Sequence, residues 1–559
     1  MGEPTGNATA PESADLVVLG GTVLTLDRSS RRAGAVAARD GRITAIGDDR
    51  TIAGLIGPRT TVVDLEGRAV VPGFVESHNH PTFFGMALAA PVDAGSPPND
   101  AITDIVERVR SAVLDFGPGE WIRGFRYDDT LLADNRHPTR RDLDAVSPDN
   151  PVILTHVTGH FCVVNSAALR AIGITAQTPD PPGGAIARDD RGQPSGLLIE
   201  TAAFLANSAL PAQGPEEMAD ALVKADEEYL AHGVTSVHDT GIGLIGGRGE
   251  LDAYRLVTRA QKLRTRIHGY LFHTLLPGLD EGEPQPPDPT VSTELFSMTG
   301  VKIVADGSIQ GRTGCLAEGY TCDPTDHGMM LIEPDDLAHR IAALDSAGWQ
   351  VAVHGNGDAA IEAIIDGYAT LGAPNGTGRR HRIEHCQTVR EDQLDRMAEH
   401  DILASFFIKH VYYWGDRHRD VFLGPDRARR ISPLASARSR GMHFGLHSDT
   451  PVTPVPPLEG IWCAVARRTS GGDVLGAEQA IDVEAALRGY TIDAAYLGGE
   501  ENVKGSLEVG KLADLAVLSE DPTAVDPDRI ASLSVDGTVV GGRLVRRRDD
   551  VTVTTGGAR

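Results

Sequence analysis

Positive charge is scarce in this chain. Its 559 residues hold 52 Lys and Arg against 78 Asp and Glu, a formal net charge of -26. Nucleic acids and anionic membranes are gripped by clustered Lys and Arg, so this balance excludes both as expected partners. A small uncharged or cationic ligand fits it better. Cysteine is scarce too: the five, Cys162, Cys315, Cys322, Cys386 and Cys463, are scattered, odd in number and without Cys-x-x-Cys spacing. That excludes a disulfide framework and predicts buried free thiols, with Cys386 packing rather than attacking. The start, Met1-Gly-Glu-Pro-Thr-Gly-Asn-Ala-Thr-Ala, lacks the basic opening and apolar core of a secretory signal, and no apolar run is long enough to span a bilayer. The expected location is cytoplasmic.

What the chain does have is alternation. Residues 15–71 run through short apolar segments broken by Gly and Asp-Gly turns, and the tail from Ala513 repeats that texture. Neither half-set of strands can bury a face alone, so 1–72 and 505–559 are expected to pair into one composite β-sandwich. Between them, strand-like runs at 74–77, 234–238, 266–272, 301–305, 350–353, 382–384, 402–407 and 443–447 alternate with helical stretches. Eight β/α units predict an α/β fold, a (β/α)8 TIM barrel over 73–504 with its chemistry at the C-terminal ends of the strands. Residues 90–210 break the alternation, separating the first strand from the second by far more than an ordinary connection. They are expected to form an inserted lid on the active-site face.

At or near those strand ends lie His78 and His80, then Lys302, His354, His385 and Asp449. Side chains two apart on a strand point the same way, so His78 and His80 can present two imidazoles to one cation. Lys302 sits among Val301, Ile303 and Val304; if its face points into the barrel, a bare ammonium beside cations is costly. Carboxylation by carbon dioxide makes it an anionic carbamate able to bridge two metals. The alternative is a neutral or salt-bridged lysine, with Asp306 as the nearby partner. His354 and His385 add nitrogen donors that suit zinc first, with manganese, iron or cobalt as substitutes. Asp449 is expected as last ligand and general base, taking the remaining proton of a metal-bridging water and passing it to the leaving group. Its alternative is an N-cap before Thr450-Pro451.

The segments around these residues carry a resemblance. Val71-Pro-Gly-Phe-Val-Glu-Ser-His-Asn-His80, Val301-Lys-Ile-Val-Ala-Asp-Gly-Ser308, Val353-His-Gly-Asn-Gly-Asp358, Ile383-Glu-His385, Ser448-Asp-Thr-Pro-Val452 and Gly505-Ser-Leu-Glu-Val-Gly-Lys-Leu-Ala-Asp514 resemble the amidohydrolase superfamily in its YtcJ-like (amidohydrolase family 3) branch. The likeness covers nearly the whole chain. It implies His78 and His80 on the more buried of two divalent metals, carboxylated Lys302 as the bridge, His354 and His385 on the second metal, and Asp449 as ligand and base.

Substrate contacts are expected from Arg126 and His160 in the lid, Arg312 after the lysine strand, and His410, Tyr412, Tyr413 and Trp414 after the seventh strand. The leading function is metal-dependent hydrolysis of a linear N-acyl or N-formyl amide. Two others compete: a cyclic-amide hydrolase or heterocycle aminohydrolase, and a catalytically silent barrel scaffold. The partner is a small-molecule amide, and the sequence also allows a homodimer.

Overall fold

A computed structural model describes residues 13–558, apart from 97, 212, 289–291 and 373–377. The first twelve residues, which carry the signal-peptide reading and the start of the composite domain, lie outside it. Eight parallel strands form one sheet: β1 Phe74–Asn79, β2 Val234–Ile242, β3 Arg266–Phe272, β4 Phe296–Val304, β5 Gln350–Gly355, β6 Arg382–His385, β7 Leu403–Phe406 and β8 Phe444–Leu446. They neighbour one another in chain order, as βα repeats with right-handed crossovers dictate. Between β8 and β1 the seam is tied by side chains. Ser77 Oγ donates to the Leu446 carbonyl (3.0 Å) and the Ser448 N–H donates to Glu76 Oε2 (2.9 Å). The fold is a nearly closed parallel barrel.

Most strand positions are buried on both faces, Thr299 of β4 being an exposed exception, so the strands do not show the clean alternation of a half-solvated sheet. In β4, Val301 and Ile303 join the buried cluster that includes Leu337, Ile341 and Ile364 of the outer helices, and Lys302, between them in the strand, falls on the opposite face. β4 is longer than expected because it begins at Phe296. There the Tyr270 ring lies where a Cβ on Gly300 would be, 2.0 Å from its Cδ1, so a polar-looking Thr299-Gly300 is a strand position that only glycine fits. Helix boundaries follow ordinary signals: Pro334 opens Pro334–Ala347, and Gly348, at φ 101°, closes it in the left-handed conformation just before β5.

Strands from both chain ends share two further sheets. Thr552–Thr555 pairs with Ile56–Asp64, and Leu515–Leu518 pairs with Ala69–Pro72. Leu16, Val18, Val63, Val70, Leu515 and Val539 form a common core between them. The insertion has a six-stranded sheet of its own, from Val92–Asp93 to Pro194–Glu200. Val152 and Leu154 face one buried cluster and Ile153 the other, the period-two pattern of a strand covered on both faces.

Three cysteines are buried, but Cys315 is half-buried and Cys322 exposed, which corrects the expectation that all are buried. Among the described residues no helix is long and apolar enough to cross a membrane.

Candidate active site

Register sets the level of each side chain at the barrel mouth. Val304 pairs with His354, Gly355 with His385, and His385 with Phe406. The histidines of β5 and β6 therefore stand near one rim, while Lys302, level with Ala352, rises from two residues lower. At about 3.3 Å per residue that depth is roughly the reach of a lysine side chain.

The donors converge at this rim. His78 Nε2 and His80 Nε2 lie 3.4 and 3.3 Å from Asp449 Oδ1, and His385 Nδ1 lies 3.8 Å from Asp449 Oδ2. One ligand atom each from His78, His385 and Asp449 falls within 4.8 Å of the others. The His354 ring packs 4.4 Å from that of His385, with its Nε2 near the Gly307 carbonyl (3.2 Å) and Asn356 Nδ2 (3.1 Å). His385 and Asp449 sit at φ 71° and 52°, in left-handed conformations that cost about 1–3 kcal/mol for such residues and tend to gather at functional sites.

Protonation states suit ligation. Burial pushes the imidazoles of His78, His354 and His385 below their usual range, which favours their neutral form. Burial opposes ionisation of Asp449, but His78, His80 and His385 around it hold its carboxyl well below the ordinary value. Burial likewise lowers Lys302 to about 8, against the pull of Glu384 and Asp449. Asp306, the alternative lysine partner, is instead engaged by the backbone N–H groups of Asn356 (3.0 Å), Gly357 (2.8 Å) and Cys315 (2.9 Å). Nor does Asp449 cap a helix, since the next one begins at Pro457. Burial raises the Cys386 thiol, and its Sγ lies 3.4 Å from the Ile383 carbonyl, the setting of an inert packed cysteine.

Four site residues escaped the sequence reading: Glu384, Arg382, Glu76 and His447. Glu384 accepts from His78 Nδ1 (2.5 Å), which fixes the ring with Nε2 toward Asp449. Burial opposes the charge on Glu384, but the Arg382 guanidinium, Nε 2.6 Å from Oε1, holds it far below the usual carboxylate range. Arg382 is itself anchored by the Ser77 carbonyl (2.8 Å) and His238 Nδ1 (2.9 Å). Glu76 clasps the Ser448 N–H and so ties the Asp449 loop to β1. His447 stacks on His78 at 4.8 Å, fully buried, with neither ring nitrogen hydrogen-bonded. The signal for Glu384 was there: Arg382 and Glu384, two apart on β6, share the inward face.

The expected substrate contacts divide. His160 reaches the cluster, its ring 5.6 Å from that of His354. His410 packs on Phe407 at 4.0 Å with Nδ1 buried and unpartnered. Arg126 is paired with Asp93 (2.8 Å) and Arg312 with Asp326 (3.0 Å), both partly exposed. Tyr412 lies against Trp462 at 5.3 Å, and Tyr413 donates to Glu459 (3.2 Å). Trp414 Nε1 donates to Asp128 Oδ2 (3.0 Å), which pins the insertion to the barrel. No hydrogen bond or ion pair among the described residues joins Arg126, Arg312, Tyr412, Tyr413 or Trp414 to the histidine cluster.

Residues 61–546 match the amidohydrolase family. The chain belongs to that family. It is an enzyme of the family's kind, a metal-dependent amidohydrolase acting on carbon–nitrogen bonds other than peptide bonds. The N-substituted formamide deformylase of Arthrobacter pascens is 31% identical over 547 residues, covering 95% of this chain and 98% of its own. The putative amidohydrolase YtcJ of Bacillus subtilis is 31% identical over 94% of this chain and 98% of its own. Among solved structures, an uncharacterized metal-dependent hydrolase from Pyrococcus horikoshii superposes with a TM-score of 0.73 at 25% identity, covering 92% of this chain and 99% of its own.

Proposed function

We propose that this amidohydrolase cleaves a linear N-acyl or N-formyl amide with the help of two divalent cations, zinc being the first choice. The substrate class rests above all on the likeness to N-substituted formamide deformylase, which spans both chains almost end to end. The donor set supports the cations: among the described residues, His385 Nδ1 and Asp449 Oδ1 are buried with no hydrogen-bond partner. Such orphaned atoms are costly unless a ligand satisfies them. His78 and His80 would hold one cation, His354 and His385 the other, with Lys302 as a carbamate between them and Asp449 completing the set. When bound, the cations lower the pKa of water and polarise the substrate carbonyl.

The chain's own groups do the rest. Asp449, ionised and facing His78 and His80, accepts the proton of the attacking water and returns it to the departing nitrogen, which leaves as an amine. Glu384 keeps His78 in one tautomer. Residues 73–504 form the catalytic barrel in this reading, with 90–210 as the lid over its mouth and 1–72 with 505–559 as the composite sandwich.

A panel of N-substituted formamides and acetamides, assayed for amine release beside heterocyclic amides assayed for ammonia, tests the substrate class. Amine release from the linear amides is expected. Turnover confined to the heterocycles would replace this reading with the aminohydrolase one. Glu384→Gln should bind metal about 10–100-fold more weakly, the usual cost of losing a carboxylate behind a ligating histidine. Competition with a chelator reads that affinity, and an unchanged value would leave Glu384 no role in ligation.

A further inference from the structure

The lid offers the barrel mouth one imidazole, and it is held by an unusual carboxylate. His160 immediately precedes the strand Phe161–Val164, and Glu200 ends the antiparallel strand Pro194–Glu200 beside it. The Glu200 N–H donates to the His160 carbonyl (2.8 Å), and His160 Nδ1 donates to Glu200 Oε2 (2.9 Å). Glu200 is wholly buried, and its Oε1 has no hydrogen-bond partner. Its backbone stands at φ 50°, a conformation that costs a non-glycine residue about 1–3 kcal/mol.

The barrel is shaped to receive this pair. A Cβ on Gly307, in the loop after β4, would lie 2.3 Å from Glu200 Oε1, and one on Gly311 would lie 2.3 Å from the Phe161 ring. Both positions are bare where the lid docks.

A carboxylate kept only for packing would not combine full burial, an unfilled oxygen and a strained backbone. A buried carboxyl oxygen needs a hydrogen-bond donor, and His160 Nδ1 meets Glu200 Oε2 at 2.9 Å. Its ring meets His354 edge-on at 5.6 Å. With Nδ1 committed to Glu200, Nε2 is the atom left to face what lies between the lid and the metal ligands.

We propose that His160 and Glu200 form a substrate-engaging dyad carried by the lid, in which His160 donates a hydrogen bond from Nε2 to the oxygen of the scissile carbonyl and Glu200 is its positioning residue. The proposal deepens the amide reading and rests on it for the identity of that oxygen. It assigns the lid a direct part in stabilising charge at the reacting group, beside its part in selecting substrates. Such a donor contributes about 10²–10³ in kcat when it is aimed at a developing oxyanion.

The test uses the metal-loaded full chain. His160→Gly is expected to keep its metal content, lose about 10²–10³ in kcat with KM within about threefold, and regain at least about tenfold in turnover when free imidazole is added. Glu200→Gln should lose about tenfold in kcat and gain nothing from imidazole, since its own imidazole is present but loosely held. Turnover of His160→Gly within about threefold of wild type, a loss that imidazole leaves unchanged, or loss of metal would each overturn the dyad.

His160→Gln, which keeps the bulk of the side chain, gives a second measurement that needs no substrate. Its Kd for acetohydroxamate, whose carbonyl mimics the amide's, should weaken about tenfold by calorimetry, and an unchanged Kd overturns the proposal. If wild type turns over no linear amide yet this Kd weakens, the amide reading falls and the dyad stands.

Discussion

Lys302→Ala protein is expected to lose at least about a thousandfold in kcat, equivalent to about 4 kcal/mol of transition-state stabilisation, and to regain part of it when acetate or propionate is added. Lys302 is 2% exposed, stands two residues below the rim that carries His354, and is lowered by burial to about 8. The depressed value matters because only the neutral amine combines with carbon dioxide. A lysine lowered in this way holds more of its amine in the neutral form near neutral pH than one at the ordinary lysine value. Burial thus favours the neutral amine, the form that would become a carbamate in the proposed two-cation site.

A short carboxylic acid can occupy the space vacated by the alanine variant and supply the same pair of oxygens. Lys302→Arg leaves no such space and stays charged, so it should remain inactive whatever acid is added. Turnover of Lys302→Ala near the wild-type rate would remove the bridge, and with it the two-cation reading.

Most of the barrel was legible in the sequence because short strand-like runs alternate with helical stretches, and most of the expected ligands stand at or near the ends of those runs, with Lys302 two residues lower. His78 and His80 could be placed together from strand geometry alone. Glu384 was only half legible: its spacing from Arg382 puts both on one face of β6, but its contact with His78 on β1, across the barrel, is one that sequence spacing does not display.

The insertion resisted for a different reason. Its sheet places Ile122–Tyr127 beside both Val92–Asp93 and Val152–His156 in parallel, then continues in antiparallel pairs to Gly184–Arg188. Local patterning cannot choose among such pairings. Arg126 and Arg312 illustrate the same limit on side chains. Each looked available for a substrate, and each is paired with an aspartate, Asp93 and Asp326, that stands 33 residues before the first and 14 after the second.

Asp449→Asn separates ligation from proton transfer. An asparagine carbonyl still coordinates weakly, but the side chain can neither accept a proton nor return one. The variant is expected to retain part of its metal while kcat for an anilide falls by about 10²–10⁴, the range of a positioned acid–base group. The loss should depend on the leaving group. An amine must be protonated as it departs, so both halves of the proton's journey are lost for an amide. An activated phenyl ester releases a phenolate that needs no proton, and only the removal of the water's proton is impaired.

The hydrolysis rates of a matched anilide and phenyl ester in the same variant check this directly, with metal content measured on the same sample. A larger loss on the anilide supports Asp449 as the group that delivers the proton. An equal loss on both, with metal retained, would show that Asp449 does not deliver it. The duty would then pass to another group near the nitrogen, and His410, buried with an unpartnered Nδ1 and packed on Phe407, would be the first to replace.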